Sequence, residues 1–304
     1  MSDRTKILNL IKLHFPEFDT PSYNIDFDVK DRLIKVEKRE LGQLLLKTLF
    51  SDFINEEYFS QPNSSFLYHY LPAKYVNNIL SENKIRLYNL AKYVKNKNDS
   101  KEYSYLIDRI GLIIPNAEKY LNSVINDVFI LSCTTEENSD NHWNYYGKEE
   151  GACIQFKVSI KESNHTISVK NVVYESELTK LFCLQQCIKE EFDYSLDISK
   201  VALNSQYVKR SYYKWEKEVR ICFDNNAHQI GKKLKSFLTN GEVTTSEDDK
   251  YFKIKEPEIH DKYIEVSINN DYFDLTIESV QLSSNKTSLE IEKFCTENEV
   301  KFIK

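Results

Sequence analysis

The scarcity that most constrains this chain is that of glycine, with six in 304 residues. A P-loop and a dinucleotide-binding βαβ turn both need clustered glycines, so that backbone can approach phosphate closely. No such cluster occurs, so any nucleotide here must be held another way. The rest of the composition is that of a folded globule, with 41% hydrophobic and 13% aromatic residues.

A net charge of −6 excludes a generic polyanion binder. Basic clusters (Lys92, Lys95, Lys97 and Lys101; Lys209, Arg210 and Lys214; Lys232, Lys233 and Lys235) are ordinarily solvated faces; they permit a nucleic-acid substrate without arguing for one. Six dispersed cysteines without a Cys-x-x-Cys pair fit a reducing cytosol. Cys183 and Cys187 are spaced to share a helix face, but no further ligand accompanies them, so no metal is expected there. No apolar run approaches the roughly 20 residues that cross a bilayer, and the N-terminus lacks a signal peptide's apolar block. The expectation is a cytoplasmic protein with no membrane partner.

Periodicity predicts an α+β chain. Ile7 to Leu13 reads as a short amphipathic helix stopped near Pro16, and a second helical pattern runs from about Asp31 to Phe59. Gln61-Pro62-Asn63-Ser64-Ser65 is the natural boundary between a helical extension, 1–62, and a domain, 63–304. Strands are expected at Phe66–Leu71, Ile85–Tyr88, Val128–Cys133, Gly151–Val158, within Ile167–Tyr174, at Tyr263–Ile268 and at Leu275–Leu282. Helices are expected over Lys74–Glu82, Tyr103–Asn126, Glu175–Gln206 with a break near Asp193–Asp197, and Thr287–Glu297. Residues 224–257 read as an exposed insertion.

Lys214 to Phe223 reads as one strand, because Trp, Val, Ile and Phe favour a half-buried pleated surface. Alternation then puts Glu216, Glu218 and Arg220 on one face. Such a row is either an exposed ion network or a carboxylate held in a cleft and kept ionised by the neighbouring guanidinium. Elsewhere, Trp143 and Tyr146 would face the same way on a helical turn, and His69 stands within the first strand of the domain.

Taken in order, Tyr68-His69-Tyr70; Asn98, Asp99 and Glu102; Leu131-Ser132-Cys133-Thr134; Trp143 with Tyr146; Gly151 to Phe156; and Trp215 with Glu216, Glu218 and Arg220 resemble the pattern of a widespread bacterial domain-of-unknown-function family. One departure is that Trp215 stands directly before Glu216. The likeness covers about residues 66 to 304. That family in turn looks like a divergent branch of the ADP-ribosyltransferase fold, which implies split mixed or antiparallel β-sheets with flanking helices. It implies NAD as substrate and no metal. His69 would bond the adenosine ribose, with Tyr70 beside the nicotinamide amide. Tyr146 or Tyr88 would stack on nicotinamide, and Glu218 or Glu216 would hold the nicotinamide ribose. Arg220 would keep a carboxylate ionised or hold a phosphate. The partners implied are a macromolecular acceptor (RNA, DNA or protein) and an antitoxin or chaperone, as in toxin-like effectors of phage defence.

Two other classes compete. A catalytically inactive binding module would use the same face with Glu216 and Glu218 as structural residues. A metal-dependent nuclease would need clustered acids, for which Asp99, Glu102, Glu216 and Glu218 are the only candidates seen.

Overall fold

The computed structural model describes residues 3–18, 34–36, 39–44, 49–94, 117–147, 150–161, 166–196, 199–230, 254–257, 261–283 and 288–303. They form a mixed α and β architecture with helices flanking a largely antiparallel sheet. The chain divides into two compact units. One gathers Met1–Ser60, Lys101–Asn122 and Val173–Tyr213; the other gathers Gln61–Ser100, Ser123–Val172 and Lys214–Lys304.

In the second unit ten strands make one sheet. They are β1 (Phe66–Pro72), β2 (Lys84–Asn89), β3 (Val128–Thr134), β4 (Gly151–Ile160) and β5 (Ile167–Asn171). After these come β6 (Glu218–Asp224), β7 (Ile254–Lys255), β8 (Tyr263–Ser267), β9 (Phe273–Leu282) and β10 (Lys301–Ile303). β3 is the pivot. Along one edge it pairs with β6 over its whole length. Along the other it meets β2 at Phe129 and Ile130, and β1 only where Tyr68 faces Thr134. The sheet is therefore split: β5-β6-β3-β2-β8-β7 on one side and β1-β4-β9-β10 on the other, joined by that single pairing. All neighbours run antiparallel except β9 and β10.

Alternation gives the sheet two unlike faces. Leu67, Leu131, Cys133, Ile154, Phe156, Val219, Ile221 and Phe223 enter one core, which the helices Val76–Glu82 and Leu289–Glu297 cover with Val76, Leu80, Ile291 and Cys295. Ser132, Thr134, Glu218 and Arg220 stand on the other face. At about 25 cal/mol per Å² of buried apolar surface, the first face supplies the stability that permits polar groups to be buried on the second.

Two glycines fix the turn leading into β4. A Cβ on Gly147 would lie 2.4 Å from the Trp143 ring, and one on Gly151 would lie 1.9 Å from the Gly147 carbonyl oxygen. The backbone can pass only where neither residue has a side chain. Trp143–Gly147 has the wide π-helical winding, directly after the turn Asp140–His142.

The first unit corrects part of the sequence reading. Among the described residues of the expected helix from 31 to 59, only Leu49–Tyr58 is helical. Ile34–Val36 and Arg39–Leu44 form an antiparallel pair, and the latter adds in parallel to Tyr194–Leu196. That pairing joins residues some 150 apart in sequence, which leucine spacing does not reveal. The helix Asp3–His14 leads to Phe15 and Phe18, whose rings meet Phe50 and Phe53 at 5.1–5.9 Å between centroids. Glu175–Phe192 is a helix, and the expected break follows it at Asp193, which takes a left-handed φ of 59°.

Candidate functional site

The site forms where the sheet splits, around the ends of β3 and β6. A second correction falls here: the strand begins at Glu218, not at Lys214. Ser211–Glu216 is a tight helical turn, and Lys217 takes a left-handed φ of 41°, which ends any alternation across it. Glu216 and Glu218 are therefore not neighbours on one strand face, although both are buried at 4% exposure. The carboxylates serve separate groups.

Glu218 is held by Arg220 and Ser132. Arg220 Nε donates to Oε1 at 2.8 Å and Nη2 to Oε2 at 3.2 Å, a two-pronged pair with side-chain exposures of 6% and 3%. Ser132 Oγ donates to the same Oε1 at 2.6 Å. Register explains this convergence, since β6 sets Glu218 opposite Thr134 and Arg220 opposite Ser132. Bonds to an ionised acceptor are the strong ones, and fork geometry adds direction.

The Ser132 carbonyl takes part as well. His69 Nδ1 lies 2.9 Å from it, and a carbonyl only accepts, so Nδ1 carries the proton. Alternation assigns His69 to the apolar side of β1, next to Ile154 of β4, but at the split its ring reaches the β3 backbone. There residues 131–133 have strand partners only on the β6 side among the described residues. Burial pushes the His69 pKa below its ordinary 6.5, partly opposed by the bond to Ser132. The ring is thus neutral near pH 7, with Nε2 as an acceptor. His69 and Glu218, 149 positions apart in sequence, share Ser132 as a common partner.

Glu216 is the centre of the second group. The Tyr146 hydroxyl donates to Oε1 at 2.9 Å. The Glu216 backbone carbonyl accepts from Thr134 Oγ1 at 2.7 Å and from His142 Nε2 at 3.2 Å. An aromatic wall continues from here. Tyr70 stacks on His142 at 5.1 Å and meets Trp143 edge-on at 5.2 Å, while Trp215 contacts both His142 and Tyr145 at 5.2 Å. Tyr145 and Tyr146 remain 61% and 43% exposed. Burial raises the Tyr70 phenol and pushes the Cys153 thiol up to about 12, so neither ionises at neutral pH.

Of the residues singled out from sequence, Glu216, Glu218, Arg220, His69, Tyr70 and Tyr146 belong to these connected groups. Tyr88 does not: its ring partners are Tyr263 and Lys92. Asn98, Asp99 and Glu102 lie outside the described residues. Ser132, Thr134 and His142 were missed as site residues. Ser132 and Thr134 carried a signal, being hydroxyls two apart, hence on one face, in an otherwise apolar strand.

Among the described residues no group of three or more His, Cys, Asp or Glu side chains is arranged to hold a metal ion. No described helix is long and apolar enough to cross a membrane. Comparison with family models, with curated protein sequences and with solved structures finds no match to this chain.

Proposed function

We propose that the chain is an NAD-dependent ADP-ribosyltransferase that modifies a macromolecular acceptor, an effector of the toxin type acting in the cytoplasm. The observation that carries this reading is the sharing of Ser132 by His69 and Glu218 at the split of the sheet. A neutral imidazole with Nδ1 committed to a carbonyl offers Nε2 to a ribose hydroxyl. A carboxylate fixed by Arg220 and Ser132 offers a preorganised negative charge.

Cleavage of the bond between nicotinamide and the ribose C1′ leaves the electron pair on the departing nicotinamide and positive charge on the ribose ring. A transition state of this kind resembles that of glycoside hydrolysis. Glu218 would stabilise the charge where it develops, an effect worth about 3–4 kcal/mol for a single well-placed group. Glu216, oriented by Tyr146, would take the proton from the acceptor nucleophile as that nucleophile bonds to C1′. The exposed rings of Tyr145 and Tyr146 suit a planar group, nicotinamide included. Six free thiols suit a reducing compartment.

One observation favours a second reading. Arg220 and Ser132 engage the Glu218 carboxylate within the chain itself, as they would in a catalytically inactive binding module. Incubation with NAD labelled in its adenylate half separates the two. Release of nicotinamide with transfer of label to RNA, DNA or protein, lost in Glu218→Gln, supports the transferase. Nicotinamide release with water as sole acceptor would make it a glycohydrolase. Neither release nor transfer from a folded protein would refute catalysis.

A further inference from the structure

The far end of the split sheet carries a group of residues that the proposed chemistry leaves unused. Register places Lys255 of β7 opposite Tyr263 of β8, Tyr263 opposite Tyr88 of β2, and Tyr88 opposite Ile130 of β3. The row therefore lies on the sheet face that also bears Ser132, Arg220 and Glu218. Beside it Arg86 faces Glu265. The Tyr88 and Tyr263 rings are 5.9 Å apart. Lys92 Nζ lies 3.6 Å from the centre of Tyr88, Arg86 Cζ 4.8 Å from that of Tyr263, and Lys255 Nζ 5.8 Å from the same ring. Lys74 Nζ lies 5.0 Å from the centre of the ring of Tyr75, which is 41% exposed and stands near Tyr88 and Lys92.

Among the described residues four cations and three tyrosines thus cluster against Glu265 and Asp261, with the exposed ion pair of Lys262 and Glu256 beside them, in a chain whose net charge is −6. Glu265 also has a structural task, tying Arg86 and Lys255 together from below, with a side-chain exposure of 8%. A ligand matching this surface presents repeated negative charges and flat rings at alternate positions. Those are the phosphates and bases of an unpaired strand, whose bases stack on aromatic side chains while lysines track the backbone.

We infer that the β2–β8–β7 end of the sheet is a docking surface for single-stranded nucleic acid. Bases stack against Tyr75, Tyr88 and Tyr263, and phosphates meet Lys74, Lys92 and Lys255. This inference does not depend on the transferase reading, because binding is measurable without NAD.

The test is fluorescence anisotropy of a labelled dodecameric oligothymidylate titrated with the full chain. Three phosphate contacts predict a slope of log affinity against log salt near −2 between about 50 and about 200 mM, at about −0.7 per contact on a single strand. The triple variant Lys74→Gln, Lys92→Gln, Lys255→Gln should weaken binding at least about tenfold at low salt and flatten the slope. Tyr263→Leu should weaken it by about tenfold while leaving the slope in place, since stacking is not ionic. Lys189→Gln, on the other unit, should change nothing. The proposal is overturned by absence of binding at low salt, by variants that bind as the parent does, by equal affinity for duplex of the same length, or by equally effective competition from polyglutamate, which would indicate an acidic peptide as partner.

Discussion

Exchange of Glu218 and Arg220, singly and together, measures how far the centre of the site is a closed electrostatic unit. Both side chains are nearly excluded from water, and two bonds join them at 2.8 and 3.2 Å. Glu218→Gln preserves shape but removes the charge facing the guanidinium; Arg220→Met preserves bulk but strips the carboxylate of its principal counter-ion. Removing one member of a buried pair costs about 3–5 kcal/mol, because the survivor's desolvation is no longer offset. Against a total stability of about 5–15 kcal/mol, each single variant should remain folded but with a clearly lowered midpoint. The double variant buries neither charge, so its loss should fall short of the sum by about 2–3 kcal/mol. The chain's two tryptophans, Trp143 and Trp215, both belong to the sheet-bearing unit, so urea titration followed by their fluorescence reports on that unit alone. Midpoints compared at constant m give the coupling. Additivity within about 0.5 kcal/mol would refute the buried, bonded pair and the preorganised carboxylate with it. Activity of Glu218→Gln has to be measured well below its own melting temperature, since it is expected to be both less stable and inactive.

Tyr146→Phe deletes the hydroxyl on Glu216 and keeps the ring; it should cost about 1 kcal/mol of stability and slow transfer to acceptor more than it raises the KM for NAD, as nicotinamide-release and label-transfer assays can compare. His69 has a folded pKa below 6.5, so the unfolded chain takes up the proton first as pH falls. Its contribution to stability is therefore complete above about pH 6.5 and is lost below it, and His69→Gln should flatten that part of a Tm-against-pH profile. Gly151→Ala puts a methyl group onto the backbone of Gly147, which cannot yield as a side-chain tip can. We expect a loss of more than about 3 kcal/mol, or failure to fold, read by thermal melting.

Parts of this arrangement are legible before any coordinates. β3 reads out plainly because Val128 to Leu131 is a short, unbroken apolar run with β-branched and aromatic residues, as a strand covered on both sides uses. β1, β2 and β4 follow from similar alternation or apolar density. The start of β6 misleads because Trp215 favours strands in isolation, whereas the turn depends on Lys217 entering left-handed space, which its residue type does not announce. The pairing of Ile34–Val36 with Arg39–Leu44 is hidden for another reason: the leucines of this stretch fit a helix, and what decides against one is a partner at Tyr194–Leu196. At the site, Glu218 and Arg220 are two apart and face the same way, so their pairing is foreseeable. The sharing of Ser132 with His69 is not, because it arises from a gap in a ladder that no single segment encodes.

The glycine contact has a bearing on ancestry. Residues on the outer surface of such a protein can drift widely, but a descendant that keeps this bend must keep glycine at 151, where an added methyl group meets main chain, and glycine at 147 for as long as a large ring stands at 143. A search for remote kin would gain more from that sparse spacing than from overall similarity, and from asking whether a Glu-x-Glu-x-Arg run lies some way downstream of it.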